Sequence, residues 1–181
     1  MNKLFQFLCV FLFIQAASTS AISAQAQDQV PSKPWQQLQL VGEAELKFFF
    51  WHVYEARLYS NNGNFVFSET RPFALELHYK RKFSVQQLVD ETRKQWKAIG
   101  IDADSKDNAT RLNTLGSLLG DVDNGDIITL YVDAQDASNF YLNERLLGTI
   151  ADSAFTEQFA AIWLSEKTTR PDFRDNLIRQ S

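Results

Sequence analysis

What most constrains this chain is a run of alternating residues that passes straight into an aromatic block. Leu38, Leu40, Gly42, Ala44 and Leu46 alternate with Gln37, Gln39, Val41, Glu43 and Glu45. That is the period of a half-buried strand. The block follows at once: Phe48-Phe49-Phe50-Trp51-His52-Val53-Tyr54-Glu55-Ala56-Arg57-Leu58-Tyr59. Residues of these shapes favour a strand. Two long strands are therefore expected between Gln36 and Ser60. Both faces are apolar as far as Val53, so this end is expected to be covered on both sides. Asn61-Asn62-Gly63-Asn64 then marks a turn.

The rest of the chain alternates less tidily between the two periods. Phe73 to Lys80 reads as a third strand after Arg71-Pro72, with Phe73, Leu75, Leu77 and Tyr79 on one face. Ser84 with Gln87 three residues on is a capping box that opens a helix, and Gly100 suits its end. A second helix is expected over Asn108 to Leu119, and a strand over Ile127 to Val132 after the turn Asp121 to Asp126. A hairpin over Asn139 to Ile150 breaks at Asn143-Glu144. A long helix starts near Asp152 or Ser153 and is expected to run until Arg170-Pro171 stops it, with a short helix beyond. Strands in two groups with helices between them give an α+β class.

The N-terminus sets the compartment. Lys3 precedes an apolar run from Leu4 to Ile14 broken only by Gln6, and Ala24-Gln25-Ala26 is an A-x-A pattern. This reads as a signal peptide over residues 1–26, cleaved after Ala26. The run is about half the roughly 20 apolar residues that a spanning helix needs, so no membrane anchor is expected after cleavage. Residues 27–37 are expected to be a linker and residues 38–181 one domain. The only cysteine, Cys9, leaves with the signal, so the exported chain has no disulfide and no thiolate ligand. Removing Lys3 takes the formal charge from -4 to -5. Without a clustered basic face, the composition points away from nucleic acid.

Candidate chemistry is sparse. His52 and His78 fall on neighbouring expected strands and form a weak haem or metal pair if both face one side. A one-residue slip in register would separate them, and no third zinc ligand accompanies them. Asp121 to Asp126 resembles half a calcium loop without the later glutamate. Asp, Asn and Gly also suit a plain turn. Asn108-Ala109-Thr110 matches a glycosylation pattern. No phosphate loop, nucleophile elbow or H-E-x-x-H helix is present.

Several runs together resemble the bacterial exported branch of the chalcone isomerase-like family. They are Gly42-x-Ala44-x-Leu46, Val53-Tyr54-x-Ala56-x-Leu58-Tyr59 and Phe73-Ala74-Leu75-Glu76-Leu77-x-Tyr79-x-Arg81. Gly125-Asp126-x-Ile128, Phe140-x-x-Asn143 and Gly148-x-Ile150-x-Asp152 follow, then Phe155, Phe159 and Ile162-Trp163-Leu164. The match extends over roughly Leu40 to Ile178. It implies an open-faced β-sandwich, a curved antiparallel sheet with helices on one face and a ligand cleft between them.

Plant members of the family close a flavanone ring, with an arginine on the first strand steadying negative charge. That position is Leu46 here, Lys47 points to the other face, and a threonine position falls at Tyr54. A leucine cannot stabilise an oxyanion. Non-catalytic relatives bind fatty acids, and some bacterial relatives are associated with haem. The resemblance therefore implies a periplasmic, non-catalytic protein holding a fatty acid or haem-like molecule, with Phe50, His52, Tyr54 and Trp96 lining its pocket. No catalytic residue and no obligatory cofactor are expected. The alternatives are an intramolecular lyase, and a structural or partner-binding protein whose cleft is plugged by its own aromatics.

Overall fold

In a computed structural model, residues 33–179 are described, and the expected signal peptide and its cleavage point lie outside them. Six strands form one sheet in simple sequential order, every neighbour antiparallel. They are β1 (Gln39–Phe48), β2 (Trp51–Ser60), β3 (Phe73–Tyr79), β4 (Ile127–Val132), β5 (Ser138–Leu142) and β6 (Arg145–Ile150). Between β3 and β4 come α1 (Val85–Ala98) and α2 (Lys106–Leu118), and after β6 come α3 (Ser153–Leu164) and α4 (Pro171–Ile178). The α+β, open-faced architecture expected from the sequence is what the chain adopts.

Local chemistry explains most of the boundaries. Ser84 and Gln87 make both bonds of the capping box at the start of α1. Asp152 caps α3 by accepting from the Phe155 amide at 3.0 Å, and its carboxylate also takes Nε and Nη2 of Arg111 at 2.8 and 3.2 Å. One acid thereby ties α2 to the N-terminus of α3. Helix α3 ends at Leu164 rather than running on to Arg170-Pro171. Pro171 instead opens α4, at a first-turn position where its missing N–H costs nothing.

Two bulges break the alternation read from the sequence. Leu40 pairs with Tyr59 and Gly42 with Leu58, which leaves Val41 as an extra residue on β1. Leu38 and Leu40 therefore part company from Gly42, Ala44 and Leu46. Leu38 lies on the outer face with Trp35 and Ala74, while Val41 and Ala44 join the main core beneath the helices. The second bulge leaves Val53 as the extra residue on β2, because Leu46 pairs with Tyr54 but Lys47 with His52. Each extra residue reverses which face the next side chains take.

The helices cover the inner face. Gly42 is needed where α4 meets β1: a Cβ there would lie 2.3 Å from the Asn176 carbonyl oxygen and 2.5 Å from that of Leu177. The outer face carries a lighter cover. Residues 33–37, expected as the end of a linker, include a 3-10 turn, Pro34–Gln37, whose Trp35 is buried. Its indole N–H donates to Glu76 at 2.9 Å, its ring meets Tyr141 edge-on, and Tyr59 donates to the other Glu76 oxygen.

Candidate functional site

The structure does not bring the four pocket residues expected from the sequence together. Phe50 sits at the tip of the β1–β2 turn and is 96% exposed. His52 lies on the outer face, where its Nδ1 meets Glu45. The bulge at Val53 put it there. In an unbroken strand it would share a face with Tyr54. Tyr54 and Trp96 do lie beneath the helices, but as core. Trp96 is fully buried, and its indole donates to the Gln158 carbonyl at 2.9 Å.

Around Tyr54 the space between sheet and helices is filled by the protein itself. The Trp163 indole donates to the Tyr54 hydroxyl at 2.8 Å. The Tyr54 ring meets Tyr79 and Phe173 edge-on, with centroids 5.8 and 6.1 Å away. Burial pushes the Tyr54 phenol up to about 12, against a smaller lowering from Trp163. Leu46 faces Tyr54 across the strand pair and packs against the core. Lys47 turns outward to an ion pair with Glu45 at 2.7 Å. The inner face therefore carries a leucine, not a cation, at position 46.

The histidines share the outer face, each held by its own carboxylate. His52 meets Glu45, and His78 Nε2 lies 3.2 Å from Glu76. Among the described residues no group of three or more His, Cys, Asp or Glu is placed to hold a metal ion. The aspartates after α2 serve the backbone. Asp121 accepts from the Val85 amide, and Asp126 accepts from the Asp123 amide and from Asn143. Asn108, in the glycosylation pattern, is buried, donating to the Asp102 carbonyl and accepting from Arg111.

The open space lies elsewhere, at one end of the helical layer. A cleft of about 620 Å³ is bounded by the end of α1 (Ile99, Gly100, Ile101), by α3, by the α3–α4 connection and by the β2–β3 loop (Phe65, Val66, Phe67). Ala161 and Ile178 add to its apolar wall, and Glu157, Gln158, Ser165, Glu166, Lys167 and Arg174 supply polar groups. Gln158 stands out chemically. Its side-chain oxygen is buried and has no hydrogen-bond partner among the described residues. Buried polar atoms are nearly always paired. Arg174 is held in place through its Nε, which donates to the Leu164 carbonyl at 2.9 Å.

Sequence reasoning missed this cleft because its walls come from four separate segments. The signal that could have pointed to it is small. Gln158 follows Glu157 between Phe155 and Phe159, a polar pair in an otherwise strongly apolar helix.

Comparison with known proteins agrees with this architecture. The family described as chalcone isomerase-like matches residues 18–178. An uncharacterized protein of Haemophilus influenzae is 26% identical over 145 residues, covering 80% of this chain and 70% of that protein. The crystal structure of an Arabidopsis thaliana fatty-acid binding protein superposes with a TM-score of 0.61 at 11% identity, covering 79% of this chain and 87% of that one. At that identity the likeness is one of fold, and it matches the six-stranded sheet with its helical layer. With the family match spanning nearly the whole chain, this protein belongs to the chalcone isomerase-like family.

Proposed function

We propose that this is an exported, non-catalytic binding protein that holds an elongated apolar molecule with a polar head, of the fatty-acid class, in the cleft between α1, α3, α4 and the β2–β3 loop. The observation that carries the proposal is the cleft itself, an apolar wall with the cations Lys167 and Arg174 in its lining. Phe65, Phe67, Ile99 and Ile101 offer the apolar wall that a hydrocarbon chain needs, and Lys167 and Arg174 offer cations for an acid head. The cleft volume falls in the range of small-molecule sites, roughly 300–1,000 Å³. The fatty-acid binding protein that shares the fold supports the same ligand class. Leu46, in place of an arginine, favours binding over ring-closing chemistry. The pattern of residues 1–26 supports a periplasmic location.

The test is native mass spectrometry of protein recovered from the exported fraction, followed by solvent extraction. A stoichiometric apolar acid is expected. Protein that emerges empty and takes up neither oleate nor palmitate overturns the reading.

A second reading has its own support. The filled space around Tyr54, Trp96 and Trp163 is what a structural or partner-binding protein with a plugged cleft would show. Ligand-free protein captured with a defined protein partner would favour it.

A further inference from the structure

Among the described residues nothing covers the aromatic block where β1 turns into β2. Phe48 pairs with Trp51, so Phe49 and Phe50 are the two central residues of the turn. Phe48 and Trp51 are more than half exposed, Phe49 is 81% exposed and Phe50 96%. Such turns favour Asn, Asp and Gly because a central residue takes positive φ. Phe49 takes it, at φ 52°, a conformation that disfavours a bulky side chain. Four large apolar side chains thus sit where folding gains almost nothing from them, one on a disfavoured backbone. Backbone strain of this kind at a surface is a pointer to function.

The surroundings say what the tip meets. Immediately behind it stand Lys47, Lys80, Arg81 and Lys82. Arg81 lies over the Trp51 ring, 4.4 Å from its centroid. The Lys80 amide bonds to the Val53 carbonyl, which places this segment level with the base of the turn. Glu45 takes Lys47 and His52, and Glu55 and Asp123 take Lys80 and Lys82. The pairs at Lys47, Lys80 and Lys82 are exposed and so hold their lysines weakly. An aromatic point followed by a collar of cations, on a chain of formal charge -4, is the order of groups met on entering an anionic lipid surface. Aromatic rings settle at headgroup depth, and Lys and Arg reach the phosphates.

We propose that the Phe48–Trp51 tip inserts into the interfacial layer of an anionic phospholipid bilayer, with Lys47, Arg81 and Lys82 on the headgroup phosphates. Insertion at this depth needs no spanning segment. It is independent of the cleft, since none of these residues lines it.

The test is sedimentation of the exported protein with vesicles of phosphatidylglycerol and phosphatidylcholine in equal parts, against phosphatidylcholine alone. Wild type is expected to sediment with the anionic vesicles and less with the neutral ones. Its tryptophan emission should shift to the blue, since Trp35 and Trp96 are already buried and Trp51 is the ring that changes surroundings. The double variant Phe49→Asn/Phe50→Gly should lose at least about tenfold in partitioning with a thermal transition no lower than that of wild type. Should that variant fold poorly, quenching of wild-type Trp51 by brominated lipid reads insertion directly. Protein that stays in the supernatant, equal partitioning of the folded variant, or a tip-dependent dimer without vesicle binding would each overturn the proposal. Loss of fatty-acid uptake with vesicle binding intact would instead speak only against the cleft.

Discussion

At the scale of single residues, the protein places side chains where their own chemistry is disfavoured in two ways. Phe49 adopts a left-handed backbone with its ring in solvent. The variant Phe49→Asn/Phe50→Gly should therefore raise stability, by about 1 kcal/mol, measured as a higher midpoint in urea with an unchanged slope. Gln158 holds a buried oxygen without a partner among the described residues. Gln158→Leu should stabilise the protein by about 1 kcal/mol, read by thermal melts. Gly42 is the opposite case, a residue in its only workable form. Its Cβ would meet two backbone carbonyls of α4, and backbone cannot move aside as a side chain can. Gly42→Ala should cost about 3 kcal/mol or more, seen as a large drop in urea midpoint.

At the scale of elements, Glu76 joins β3 to the turn carrying Trp35. Burial pushes its carboxyl up, but hydrogen bonds from His78, Trp35 and Tyr59 outweigh it and hold the group below its ordinary value of 4.5. A carboxyl lowered by folding adds stability that is fully present above 4.5 and is lost as pH falls through the folded value. Acid titration should therefore weaken the Trp35 cover. In Glu76→Gln the protein should be less stable at neutral pH, and the gap from wild type should close in acid, followed by urea melts across that range.

Most elements were legible because their local signals agree with their packing. Ser84 with Gln87, the strand Ile127–Val132 and the Asn143-Glu144 turn all lie where capping and turn chemistry put them. The faces of β1 and β2 were not legible. A bulge adds one residue with no signature of its own, and Val41 and Val53 look like any strand valine. That single insertion separated His52 from Tyr54. The aromatic run up to Val53 also read as covered on both faces, because sequence cannot distinguish a buried aromatic turn from one held in solvent.

At the scale of the whole molecule, six strands in sequence order and a helical layer leave a filled interior and a cleft at its side. The family and fold were readable from spaced motifs that run the length of the chain, and the family match and the shared fold bear them out. The cleft was not, since it forms only where α1, α3, α4 and a loop converge. The central claim is that this cleft takes an apolar acid. The most direct measurement is titration of a fluorescent fatty acid into wild type and into Ala154→Trp. Ala154 is exposed at the cleft's edge, so the change adds bulk to the mouth without touching the core. Saturable binding by wild type, reduced at least about tenfold in the variant, is the predicted result. Equal binding by both proteins, or no saturable binding by wild type, would contradict it.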